Sequence, residues 1–213
     1  MQKRKPLKYI LVIILVAVVA YNSVYFKKLD EVKASASTGQ FNAAAYAGKF
    51  WNNKLIPNLG KAIEINQLVS RLQKDKDSAF QQYSHALGIG NIRYFLVKGE
   101  GTITAVNEND ITVEAKSDSG THTVHIATEY IFGNAVRDAL GLLDINEFKN
   151  TMDFNNVSAE INKKIRAEVL PPFKAGAKKG SIVQFTGAIE LNKEHLNTNT
   201  IELVPVALKT LQN

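Results

Sequence analysis

The 213-residue chain contains no cysteine. Disulfides, thiolate zinc sites, iron–sulfur clusters and cysteine nucleophiles are therefore excluded. Lipid attachment of the bacterial lipoprotein type, which needs a cysteine to carry the lipid, is excluded as well. Histidine is scarce: His85, His122, His125 and His195 are the whole complement. His122 and His125 stand three apart in a stretch that reads as a strand, so they face opposite sides and do not chelate one metal together. All four read as solvated or satisfied histidines. There is no Walker loop, no G-x-S-x-G elbow and no HExxH pair. Gly99-Glu100-Gly101 lacks the third glycine of a dinucleotide fingerprint and reads as a strand bulge. No cofactor, metal or catalytic constellation is indicated, and the chain does not read as an enzyme.

Acidic residues are missing from the first 29 positions. The formal net charge is +6 with a pI near 9.3, and Lys3, Arg4, Lys5, Lys8, Lys27 and Lys28 all precede the first acid, Asp30. Without those six, 20 basic residues face 20 acidic ones. The body is thus formally neutral and has little capacity to release counterions from a phosphate backbone, which argues against nucleic acid as a partner.

Long apolar runs are absent except for one. Tyr9–Phe26, "YILVIILVAVVAYNSVYF", carries no charge. Eighteen helical residues at about 1.5 Å each reach roughly 27 Å, close to the hydrocarbon thickness of a bilayer. Cations precede it in excess, which favours a cytoplasmic N-terminus. Tyr21 and Tyr25 lie near its outer end, where amphipathic rings suit an interface. A cleaved signal peptide competes with an uncleaved anchor, but the best small-residue triplet, Ala34-Ser35-Ala36, lies beyond five charged residues, a poor cleavage context. The expectation is a signal anchor over residues 1–28 that spans the inner membrane once, with the body in the periplasm or its equivalent. Residues 29–40 read as a small, polar linker.

Residues 41–90 are periodic as helices and read as a helical cap. Ile65, Leu68, Val69 and Leu72 fall on one helix face, Pro57 and Gly60 interrupt the region, and Asp77 is placed to cap a later helix. Trp51, the only tryptophan, reads with Phe50 as a staple of the helices to the body, with ligand stacking as the alternative. From about residue 91 the period becomes that of strands: 94–106 with Gly99 and Gly101, 111–113, 121–126, 181–191 and 200–208. Pro205 suggests that the last is an edge strand. Five strands, the first long and kinked by glycines, with a helical insertion over 131–172 between the third and fourth, predict an α+β chain whose body (91–213) is an OB-like barrel. A half-open five-stranded sheet is the alternative.

The insertion is crowded with amides and acids. Asn134 is placed to cap a short helix stopped by Gly141. Asp144 and Glu147 have capping-box spacing. Asn155 or Asn156 would cap a helix carrying Val157, Ile161 and Ile165 and ending at Pro171-Pro172. Arg137, Asp138, Asn150, Asp153 and Asn162 are left without a capping task. With Asn156 and Trp51 they are the candidates for binding a ligand or partner. Asp138 with Asp153 is the carboxylate pair a hydrolase reading would use.

The blocks "FNAAAYAGKFWNNKLIP", "VKGEGTI", "GNAVRDALG" and "FKNTMDFNNVSAEINKKI" resemble the signature segments of the predicted periplasmic lipoproteins of unknown function, from about Phe41 to Leu208. The resemblance implies an exported, membrane-tethered protein, with components of sugar ABC transporters as partners, and carries no catalytic residues with it. The missing lipidation cysteine is a departure that fits a transmembrane anchor in place of the lipid. The expected function is therefore a membrane-tethered, non-enzymatic accessory or binding protein. A carbohydrate-active or other hydrolase and an oligonucleotide-binding module are the alternatives.

Overall fold

The computed structural model describes residues 9–10, 12–16, 18–19, 41–117 and 120–211. Two compact units divide the chain, Met1–Phe41 and Asn42–Asn213. In the first, the described residues between Tyr9 and Val19 are helical and their apolar side chains are exposed. Most of the expected anchor lies outside the described residues. Among the described residues no helix is long and apolar enough to cross a membrane, so the expected single span is not supported: the described pieces fall short of the roughly 18 residues a bilayer requires.

The second unit opens with α1 (Ala43–Phe50), whose Asn42 side chain accepts from the Ala45 N–H at 2.8 Å. It runs on through a wide π-type turn (Trp51–Leu55) and a 3₁₀ turn (Ile56–Lys61) that takes Pro57 near its start. A two-residue β1 (Ile63–Glu64) precedes α2 (Ile65–Lys74), α3 (Lys76–Tyr83) and β2 (Ser84–His85). Asp75, not Asp77, caps α3, accepting from the Ser78 N–H at 3.0 Å. Asp77 falls in the first turn instead, where a carboxylate still suits the helix dipole.

Five long strands follow: β3 (Ile92–Val106), β4 (Asp110–Ser117), β5 (Gly120–Ala127), β6 (Ile182–Asn192) and β7 (Thr200–Leu211). They close as β3–β4–β5–β7–β6 and back to β3, with β5 and β7 parallel and the other neighbours antiparallel. β3 serves two partners: Ile92–Thr102 pair with β6 and Thr102–Val106 with β4. The bend needs close approach. A Cβ on Gly101 would strike the Glu114 carbonyl, and one on Gly99 would strike Phe185 and Ile65. β1 and β2 pair with β3 at Val97–Lys98 and Tyr94–Phe95.

Pro205 does not mark an edge. β7 lies between β6 and β5, and Pro205 sits opposite Gly187 at a register shift, beyond the last β5 partner at Leu203. A missing N–H is tolerated where the ladder is already broken.

The barrel interior is plugged by helices. Ile65, Leu68, Val69 and Leu72 of α2 and Phe80 of α3 share one buried cluster with Phe95, Val113, Val124, Phe185 and Leu203, and Phe80 meets Phe95 edge to face at 5.2 Å. Residues 41–90 are therefore not one cap. α1 packs outside, on the insertion, whereas α2 fills the barrel. As expected from strand alternation, His122 points inward and His125 outward. His122 is buried, however, and its Nε2 has no hydrogen-bond partner among the described residues, so the expectation of a solvated or satisfied ring fails at that nitrogen.

Candidate functional site

The insertion runs between β5 and β6. Its elements are α4 (Ala135–Asp138), a 3₁₀ turn (Ile145–Glu147), α5 (Thr151–Lys164), a second π-type turn (Ile165–Val169) and α6 (Leu170–Gly176). α4 lies against β3, β6 and β7, the second π-type turn and α6 lie against β7, and α5 holds α1. Leu96, Ala188 and Val206, outside the interior cluster, are buried. The insertion thus builds a second apolar layer on the outer face of the barrel.

Most amides and acids of the insertion take a local task. Asn150, not Asn155 or Asn156, starts α5: its Oδ1 accepts from the Asp153 N–H at 2.8 Å, and its Nδ2 donates to Asp153 Oδ2 at 2.9 Å. Asn155 and Asn156 fall one turn inside the helix and are exposed. Asp144 caps the 3₁₀ turn through the Asn146 N–H at 2.9 Å. Asn134 makes no side-chain cap to α4; its Oδ1 accepts instead from Ser158 Oγ at 3.1 Å. Gly141 takes the expected left-handed stop at φ 60°. Pro171-Pro172 do not end the helical path. They occupy the first turn of α6, where a missing N–H costs nothing, because the preceding π-type turn has reset the hydrogen-bond register.

Arg137 and Asp138 form a fully buried fork. Nε donates to Oδ1 at 2.6 Å and Nη2 to Oδ2 at 2.8 Å, while Nη1 reaches the Phe154 carbonyl at 3.3 Å. The guanidinium lies 3.6 Å from the Phe154 ring centroid. Phe154 meets Phe148 edge to face, and Phe148 meets Tyr46 of α1 in the same way. The Tyr46 hydroxyl donates to Glu147 Oε2 at 2.8 Å; burial and that carboxylate push it up to about 12. Burial, with the charges of Glu190 and Asp138, also raises Tyr94.

Asp138 and Asp153 therefore have separate partners, Arg137 and Asn150, and are not brought together as a catalytic couple. Asn162 is buried and donates to the Gly133 carbonyl at 3.0 Å. Trp51 is buried, with the Lys164 ammonium 5.7 Å from its ring centre. Asn156 is exposed, on the solvent side of α5. Grooves of about 750 and 400 Å³, one at Lys178–Ser181 and the other at Lys98–Glu100, are lined by none of these candidates.

What the sequence reading missed is the object these contacts hold. Ser158, Asn162 and Arg166 follow at four-residue spacing down one face of the helix, and they bind Asn134, Gly133 and the Ile131 carbonyl in turn. With Ile131 buried and Gly133 at φ 81°, the segment 129–134 is clamped, yet Tyr130 is 65 % and Phe132 71 % exposed. The only local traces of it in the sequence are the polar residues at i, i+4 and i+8 and the aromatics on either side of Ile131, and neither names its partner. A second missed grouping lies on the barrel. His125 Nδ1 is 3.1 Å from Asp110 Oδ1, which also accepts from Asn107 at 2.9 Å. Burial works upward on this carboxyl, but the Asn107 and His125 contacts hold it below the usual range.

The profile of the predicted periplasmic lipoproteins (domain of unknown function 2291) matches residues 14–209. No curated protein matches the chain. Among solved structures, an OB-fold protein from Thermotoga maritima is similar, at 25% identity and a TM-score of 0.71, over 80% of this chain and 99% of that one. The closed five-stranded barrel, and with it the expected α+β class, agrees with that neighbour.

Proposed function

The chain belongs to this family of predicted periplasmic lipoproteins, and from that premise we propose that it is a membrane-tethered, extracytoplasmic accessory protein that works by binding a partner. The chain has no cysteine to lipidate, so the tether in this reading is the apolar segment Tyr9–Phe26. One observation carries the proposal. Five polar side chains of the insertion, Arg137, Asp138, Asn150, Asp153 and Asn162, engage one another or the backbone. The exposed side chains of the clamped segment are two aromatics, Tyr130 and Phe132, and Glu129, which is paired with Lys174. A hydrolase would instead hold two free carboxylates across a cleft.

The partners we propose are components of a sugar ABC uptake system. Crosslinking in intact membranes followed by mass spectrometry tests this: transporter subunits recovered on peptides of the insertion are expected. Recovery of no neighbour, or of unrelated ones only, argues against it. A second reading, an oligonucleotide-binding module, rests on fold analogy alone, and the formally neutral body weighs against it. Salt-dependent retention of the protein on immobilised oligonucleotide is what that reading requires.

A further inference from the structure

The body is neutral as a whole but not in each part. Between Lys163 and Lys179 the chain carries six cations, Lys163, Lys164, Arg166, Lys174, Lys178 and Lys179, against one acid, Glu168; Lys163, Lys164 and Lys174 are paired with Glu160, Glu168 and Glu129. This is the helical run that holds the aromatic segment. Arg166 binds the Ile131 carbonyl, and Lys174 lies 3.5 Å from Glu129, the residue before Tyr130. Lys178 and Lys179 follow, exposed, in the turn that leads into β6. Tyr130 and Phe132 thus stand exposed next to the Glu129–Lys174 pair, on a loop fixed by the buried side chains of Ser158 and Asn162, with exposed Lys178 and Lys179 four and five residues beyond Lys174.

We propose that this edge, Tyr130 and Phe132 together with Lys174, Lys178 and Lys179, docks on an anionic lipid surface. The inference rests on the tethered reading above, which would keep the body beside a bilayer throughout its life. Aromatic rings settle at the headgroup level, and lysines clustered beside them are drawn to anionic headgroups. The clamp favours this use, because the rings need no ordering on contact. A hydroxyl at the tip of Tyr130 suits a wet headgroup region better than a dry protein pocket.

A chain without cysteine permits a clean test. Full-length Tyr130→Cys, Phe132→Cys and, as a control at an exposed position of β7, Glu202→Cys are each labelled with an environment-sensitive dye. They are reconstituted in vesicles of phosphatidylcholine with or without phosphatidylglycerol. The expected result is a blue shift, and quenching by headgroup nitroxide lipids, at 130 and 132 and not at 202. The effect should need phosphatidylglycerol and weaken several-fold in high salt and in Lys178→Glu/Lys179→Glu. Labels at 130 and 132 that behave like the one at 202, or that ignore lipid charge, overturn the proposal. So does burial that appears in native membranes but not in protein-free vesicles, which assigns the rings to a protein partner. Flotation of the unlabelled protein with vesicles is scored separately. If flotation fails, the tether is at fault; if flotation holds without ring burial, only the docking is.

Discussion

Arg137 and Asp138 are neighbours in sequence that also pair side chain to side chain, both nearly inaccessible to solvent. Such a fork contributes little net stability when intact, but breaking it strands a charge in an apolar layer. Arg137→Met and Asp138→Asn are each expected to lower unfolding free energy by about 3–5 kcal/mol in urea titration. The double variant Arg137→Met/Asp138→Leu should recover much of the loss, since it leaves no ion behind. Equal or larger loss in the double variant would mean that the pair itself stabilises the layer. A second residue-scale effect concerns acid. Burial first, then the charge of Arg93, lowers the His85 pKa below its ordinary 6.5. The folded state therefore disfavours the protonated ring. The contribution of this ring to stability is complete above about pH 6.5 and is lost as pH falls through the depressed value. His85→Gln should flatten the fall in Tm between pH 7 and 5; an unchanged slope would place the titration elsewhere.

At the scale of elements, the helix starts give the sharpest comparison between sequence and structure. Asn150, Asn155 and Asn156 are all competent caps by residue type. What selects Asn150 is the reciprocal bond with Asp153 three residues on, together with Phe154, which the helix must carry into the buried layer. Asn150→Ala is expected to cost about 1 kcal/mol, and Asn156→Ala, at an exposed interior position, to be near neutral. Thermal melts of the two variants decide it, and equal shifts would refute the assignment. The strands, the glycine-kinked first strand and the α2 stripe were legible because their periods are local. Pro205 misled because the break it needs, an extra residue of β7 at Val206, exists only in the pairing with β6. The clamp was illegible for the same reason: Ser158, Asn162 and Arg166 acquire meaning only when a loop some 25–35 residues away lies beside them.

At the scale of the molecule, the body is a barrel filled by α2 from within and layered by α1 and the insertion from without, and the two apolar layers share the strands β3, β6 and β7. Leu96 and Ala188 face the outer layer, while their neighbours Phe95 and Ile189 face the inner one. Loss of either layer would expose one face of the same strands to water, so the layers should not unfold separately. The chain carries its own reporter of this. Trp51, its only tryptophan, is buried in the π-type turn after α1, outside the barrel, whereas far-UV circular dichroism reports chiefly on the strands and helices together. Urea transitions followed by Trp51 fluorescence and by circular dichroism are expected to coincide in midpoint and slope. An earlier fluorescence transition would make the outer layer an independent unit. The aromatic loop could then not count on a rigid barrel for its fixed shape, and its presentation would depend on the insertion alone.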